Sequence, residues 1–191
     1  MAAEQDQTTG EPHVAGAGDT ALRQLIKSRI RDVPDYPRPG ILFKDITPLL
    51  ADPATLRMVV DALGTGFGPV DKVTGIEARG FILAAPVACR LGAGFVPVRK
   101  QGKLPAATHT ESYELEYGSA TIEVHTDAFT PGERVLIVDD VLATGGTARA
   151  AAALVRRAGA EVAGVSVLLE LAALNGRANV ADLEFRALLA A

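Results

Sequence analysis

The stretch Val135-Leu-Ile-Val-Asp139-Asp140-Val-Leu-Ala-Thr144-Gly145-Gly146-Thr147 most constrains what this chain can fold into. It begins as a short apolar segment suited to a buried parallel strand and passes through two adjacent carboxylates. A Thr/Gly loop then opens the helical pattern that runs from Ala148 to Gly159. In an open α/β sheet, ligands sit beyond the carboxyl ends of the strands, and the unpaired amides at the next helix N-terminus attract phosphate. Ala143, Thr144, Gly145, Gly146 and Thr147 are therefore expected to hold a phosphomonoester. Asp139 and Asp140 are expected to accept hydrogen bonds from sugar hydroxyls.

A chain of 191 residues suffices for one sizeable α/β domain, and a hydrophobic content of 48% supports a real core. The formal net charge of -4 gives no electrostatic reason to expect nucleic acid as a partner. The apolar run Phe81 to Cys89 contains Pro86, lies between Arg79 and Arg90, and is far shorter than the roughly 20 residues that span a bilayer. No membrane association is expected. Residues 1–20 lack the basic start and apolar centre of a secretory signal, so a cytoplasmic protein is expected. The single cysteine, Cys89, excludes an internal disulfide and reads as a buried structural thiol.

Residues 1–19 carry almost no large apolar groups and read as a disordered extension, leaving 20–191 as one domain. Asp19 or Thr20 is placed to cap a helix carrying Leu22, Leu25, Ile26 and Ile30. The prolines and glycine of 35–50 dictate an extended, turned strap, in which Phe43 offers a flat face to an aromatic ring. Asp52-Pro53 marks the start of a helix to about Leu63. The glycines at 64, 66 and 68 precede a strand and lack dinucleotide spacing. Lys72 to Gly75 reads as the first core strand; Glu77-Ala78-Arg79-Gly80 turns it into a helix ending near Leu91. Gly94 to Val98 forms the second strand and leads into Arg99-Lys100-Gln-Gly-Lys103, the densest basic cluster. Alternation at Ser119 to His125 makes 101–126 a hairpin flap with three carboxylates and two phenols between Glu111 and Gly118. His109 and His125 have no metal-ligand spacing and are expected on the surface. Glu161 to Leu169 is another buried strand. A short helix around Asn175-Gly-Arg and a strand near Phe185 to Leu189 close the chain. The alternation of strands and helices predicts an α/β fold with a mostly parallel central sheet flanked by helices.

These pieces suit a substrate with anionic groups at two ends of a sugar. ATP hydrolysis is excluded by the absence of a Gly-x-x-x-x-Gly-Lys-[Ser/Thr] loop, and the commonest serine-hydrolase route by the absence of a Gly-x-Ser-x-Gly elbow.

The Val135 to Thr147 stretch closely resembles the phosphoribosyl pyrophosphate (PRPP) signature of the type I phosphoribosyltransferases. Three further segments narrow the likeness: Asp35-Tyr-Pro-Arg-Pro-Gly-Ile-Leu-Phe-Lys-Asp-Ile-Thr, Glu77-Ala-Arg-Gly-Phe, and Arg99-Lys-Gln-Gly-Lys-Leu-Pro followed by Ser112-Tyr-Glu-Leu-Glu-Tyr-Gly. Together they resemble the adenine phosphoribosyltransferase family from about Leu22 onward. The resemblance implies the type I fold with a small N-terminal hood at 35–50, and conversion of adenine and PRPP into AMP and pyrophosphate by a cytoplasmic homodimer. It implies Mg²⁺ held mainly by PRPP and water, with no direct protein ligand. By the same resemblance, Ala143 to Thr147 take the 5′-phosphate, and Asp139 and Asp140 face the ribose. Glu77, Ala78, Arg79, Arg99 and Lys103 face pyrophosphate. Leu42, Phe43 and Lys44 meet adenine, with Lys44 standing where many members have arginine. Glu116, Tyr117 and Arg79 form the implied catalytic set: Glu116 as acid/base near the purine imidazole, Tyr117 closing the lid. A transferase for another base, and a non-catalytic PRPP sensor attached to a nucleic-acid reader, are the alternatives. The short acidic tail and Glu116 speak against the sensor; the Phe43 region and Ser112 to Gly118 speak against another base.

Overall fold

The computed structural model describes residues 17–114 and 118–191. Its first helix, α1 (Ala17–Arg29), turns Ile26 fully inward, with Leu22 and Ile30 packed beside the same core. The helical spacing of the apolar residues was thus a sound guide, but Asp19 and Thr20 lie inside α1 and do not cap it. Residues 17–19 of the expected extension are helical, and 1–16 lie outside the described residues.

The strap has more structure than its prolines suggested. β1 (Arg31–Pro34) and β2 (Leu42–Asp45) pair antiparallel, from Arg31↔Asp45 to Pro34↔Leu42. The turn between them is closed by the Asp35 carboxylate, which accepts from the Gly40 amide at 2.8 Å. A short helix, α2 (Thr47–Ala51), follows, and α3 (Pro53–Leu63) starts at Asp52, whose side chain accepts from the Thr55 amide at 2.8 Å.

Next come β3 (Lys72–Ile76), α4 (Arg79–Leu91), β4 (Gly94–Lys100), β5 (Thr108–Glu114), β6 (Ser119–His125), β7 (Arg134–Leu142), α5 (Gly146–Arg157) and β8 (Glu161–Glu170). The expected short helix at Asn175 resolves into two 3₁₀ turns, Ala172–Leu174 and Gly176–Val180, before β9 (Phe185–Ala190). The sheet runs β5-β6-β4-β3-β7-β8-β9. Neighbours from β4 to β9 are parallel, while β6 lies antiparallel to β4 and β5. This is the expected α/β class with a mostly parallel central sheet.

Both faces of the sheet are covered, which is why residues 135–138 of β7 read as an unbroken apolar run. Leu136 and Val138 join Leu63, Val73, Leu83, Val87 and Leu168 in the core shared with α3 and α4. Val135 and Ile137 join Leu154, Val155, Val165 and Val167 beside α5. From β3 the chain steps outward to β4, and from β7 it steps the opposite way to β8. The carboxyl ends of adjacent β3 and β7 therefore flank a topological switch point, where a crevice is expected.

Two further expectations fail. Cys89 is exposed, because α4 buries Gly80, Leu83, Ala84, Val87 and Ala88 and leaves the Ile82–Cys89 side facing outward. His125 is not a surface residue: it is half-buried and its Nε2 is inaccessible.

Candidate active site

The crevice at the switch point is a cavity of about 400 Å³ lined by Glu77, Ala78, Arg79, Asp139, Asp140, Ala143, Thr144, Gly145 and Thr147, together with Lys100 and Tyr113. Two loops far apart in the sequence thus meet because β3 and β7 are neighbours. α5 begins at Gly146, with Gly145 at its N-cap at φ +83° and no side chain capping it. Its first amides have no intrahelical partner and a positive helix end behind them, which suits a phosphate. Tyr113 of β5 overlies this turn: its ring lies 3.2 Å from where a Cβ on Gly146 would stand.

At the end of β7, Asp139 is half-buried and Asp140 is only 5% exposed. Asp139 Oδ1 accepts from the Asp140 amide at 2.9 Å. Burial, then the neighbouring Asp140 charge, pushes the Asp139 pKa well above the ordinary range. Burial also raises Asp140, opposed by Arg79, whose Nη2 lies 2.7 Å from Oδ2. The α4 N-terminus comes this close because Gly80 has no side chain. A Cβ there would stand 2.7 Å from Asp139 Oδ1.

Arg79 links the two halves of the site. Besides Asp140, its Nη1 reaches the Lys44 carbonyl at 3.5 Å, and its guanidinium sits 5.0 Å from the centre of the Phe43 ring. Phe43 also meets Tyr36 edge to face at 5.1 Å. Leu42, Phe43 and Lys44 are therefore connected to the crevice through Arg79 without lining it. Lys44 instead lines a second cavity of about 350 Å³ with Asp32, Leu169 and the C-terminal residues, and its ammonium bonds Asp32 at 2.8 Å.

The basic cluster divides by strand parity. Val96, Val98 and Lys100 share the face of β4 toward α5 and the cavity, and Arg99 points to the other face. Arg99 is clamped by Glu77, with Nε at 3.1 Å from Oε2 and Nη2 at 3.3 Å from Oε1, and its Nη1 donates to the Lys103 carbonyl at 2.9 Å. That clamp holds the Glu77 carboxyl below the usual range, against the effect of burial. The Glu77–Ala78 peptide is cis. Lys103 is exposed; its amide and that of Leu104 each donate to Glu123 at 2.9 Å. Burial works to raise the Glu123 pKa, but the amides of Leu104, Gly102 and Lys103 more than offset it. Arg99, Lys103 and Gly146 do not line the crevice. Lys100 and Tyr113 are the lining residues that motif reading passed over; alternation along β4 and β5 was the signal for both. Glu116 and Tyr117 lie outside the described residues.

A loop for one anion, a carboxylate pair for hydroxyls and a cation-bearing rim define a site for a phosphorylated sugar carrying a second anionic group. The phosphoribosyl transferase domain model matches residues 57–183. An adenine phosphoribosyltransferase from Thermobifida fusca is 64% identical over 171 residues, covering 88% of this chain and 97% of that one. Among solved structures, the adenine phosphoribosyltransferase of Rhodothermus marinus superposes with a TM-score of 0.86 at 53% identity, covering 90% of this chain and 99% of its own. The Saccharomyces cerevisiae enzyme, complexed with an imino-altritol bisphosphate and adenine, gives 0.84 at 38% identity, covering 89% and 99%. The chain belongs to the phosphoribosyltransferase family and, within it, to the adenine phosphoribosyltransferases.

Proposed function

We propose that this protein transfers a 5-phosphoribosyl group from PRPP to adenine, releasing pyrophosphate and forming AMP, in a purine-salvage reaction. The observation that carries the reading is the single crevice in which the α5 N-terminal loop, the Asp139–Asp140 pair and the Glu77–Arg79 turn converge. Amides of Ala143 to Thr147 bind the 5′-phosphate, and Asp139 and Asp140 take the ribose hydroxyls. As pyrophosphate departs, positive charge builds at the anomeric carbon, and the carboxylates keep the sugar's surroundings anionic. Arg79 and Lys100 hold the departing polyanion from the crevice wall, and Arg99 and Lys103 support the rim. Arg79 must leave Phe43 and Asp140 at least in part for the base to stack on Phe43. Leu42 and Lys44 read the adenine edge. Glu116 manages the proton at the purine imidazole, and Tyr117 closes the flap, excluding water that would otherwise hydrolyse the activated sugar.

Two adjacent carboxylates beside an anion loop fit Mg²⁺ bound chiefly through phosphate oxygens and water, with Asp139 and Asp140 contacting it through water. When bound, Mg²⁺ supplies charge neutralisation of the leaving pyrophosphate.

We further infer a cytoplasmic homodimer, each chain forming one phosphoribosyltransferase domain that opens with α1, three residues before the expected boundary at 20. Exposed Ile82 and Phe95, the latter edge to face with Phe81 at 5.8 Å, support a self-association surface on α4 and β4. No helix among the described residues is long and apolar enough to cross a membrane.

Incubation with PRPP, Mg²⁺ and single bases, followed by separation of the nucleotides, tests the activity. AMP from adenine supports it; PRPP binding without turnover on any base favours a sensor.

A further inference from the structure

The 3₁₀ turn Gly176–Val180 packs against the back of the phosphate loop, although it lies in a separate part of the chain. Val180 is fully buried and anchors the turn in the core beside α5. Arg177 pins it from the other side, donating from Nε at 3.0 Å and Nη2 at 2.5 Å to the buried Glu170 carboxylate and lying over the Phe185 ring at 4.7 Å. Between these anchors, Asn179 Nδ2 donates to the Thr144 carbonyl at 2.7 Å. The approach is close enough to exclude a methyl group on either side. A Cβ on Gly176 would stand 2.1 Å from the Ala143 carbonyl oxygen, and one on Gly145 would stand 2.4 Å from the Gly176 carbonyl oxygen and 3.0 Å from Asn179 Cβ.

We propose that Asn179 is a positioning residue for phosphate binding, acting by fixing the Thr144–Gly145 peptide plane. A peptide unit is rigid, so holding the Thr144 oxygen also sets the direction of the Gly145 N–H. Gly145, at φ +83°, is the point where a glycine backbone would otherwise have the most freedom. Asn179 removes that freedom before the ligand arrives, and the loop's amides need no reordering when the anion binds. The inference rests on the reading of Ala143 to Thr147 as the 5′-phosphate site.

The test compares the parent protein with Asn179→Ala, which removes the donor, and Asn179→Asp, which sets a carboxylate against the Thr144 oxygen. Calorimetric binding of ribose 5-phosphate, with ribose as the control, reads the phosphate site without turnover, and steady-state kinetics read PRPP and adenine separately. Loss of one hydrogen bond predicts about a three- to tenfold weakening of ribose 5-phosphate binding and a matching rise in KM for PRPP in Asn179→Ala. Asn179→Asp should be weaker still. KM for adenine and kcat should stay within about twofold, because the contact acts on ground-state and transition-state phosphate alike. Asn179→Gln, keeping the amide donor, should recover part of the loss. Unchanged ribose 5-phosphate affinity in folded Asn179→Ala and Asn179→Asp overturns the proposal, as does a fall in kcat with an unchanged KM for PRPP. A parent protein that binds ribose 5-phosphate but makes no AMP overturns the transferase reading and leaves the Asn179 comparison decisive.

Discussion

At the residue scale, Asp139 shows how a binding group opposes folding. Its raised pKa means that the folded chain binds a proton more tightly than the unfolded chain. Its contribution to stability is therefore fully present below the ordinary aspartate range and is lost as pH rises toward the folded value. Asp139→Asn keeps an oxygen for the Asp140 amide and removes the charge. Thermal unfolding without ligand should show the variant gaining on the parent as pH rises from 4 to 7, while PRPP binding weakens; a pH-independent difference would show that Asp139 is not the buried titrating group. Lys100 gives a second prediction. Lys100→Ala should raise KM for PRPP about 10- to 100-fold, the usual cost of a charged hydrogen bond, with KM for adenine nearly unchanged. The aspartates and the loop were legible in the sequence because strand, acid pair, glycines and helix are contiguous. The division within the basic cluster was less legible: motif likeness named Arg99 and Lys103, and only parity along β4 determines that Lys100 faces the crevice. A third prediction concerns the flap: Glu116→Gln should reduce turnover much more than PRPP affinity, and an equal fall in both would make Glu116 a binding group.

At the element scale, the fit of α4 onto β3 brings the Glu77–Gly80 turn to the carboxylate pair. A Cβ on Gly75 would stand 2.6 Å from Ala84 Cβ and 3.0 Å from the Gly80 carbonyl oxygen. Gly75→Ala should therefore cost about 1 to 3 kcal/mol in urea unfolding and lower PRPP affinity through displacement of Arg79. A loss of stability with full PRPP affinity would show that the turn is held by something other than this contact. The core strands and α3, α4 and α5 were legible, since each has a clear period and stop signals. The β1–β2 hairpin was not. Its strands are four residues each, charged, and bounded by Pro34, Pro37 and Pro39, so local propensity argued for a strap while pairing from Arg31↔Asp45 onward made a ladder.

For the molecule as a whole, the order β5-β6-β4-β3-β7-β8-β9 turns scattered motifs into one site, and that order was beyond local pattern. Pairing of β6 with β4 at Arg99↔Glu123 and Lys100↔Ile122 joins the flap to the central sheet, and Arg157 ties α5 to Glu111 and the Thr110 carbonyl on β5. The flap therefore springs from a base tied to the sheet on one side and to α5 on the other. The exposed Ile82–Phe95 surface has its own prediction at this scale: Phe95→Glu should convert a dimer into a monomer in sedimentation equilibrium, and an unchanged dimer would place the interface elsewhere. The central claim is tested most directly by a one-pot competition: limiting radiolabelled PRPP, Mg²⁺ and equimolar adenine, guanine, hypoxanthine, xanthine and orotate, with every labelled nucleotide resolved. The account predicts AMP as the dominant product, with pyrophosphate released one for one. A different nucleotide dominating, or PRPP consumed to free ribose 5-phosphate without AMP, would contradict it.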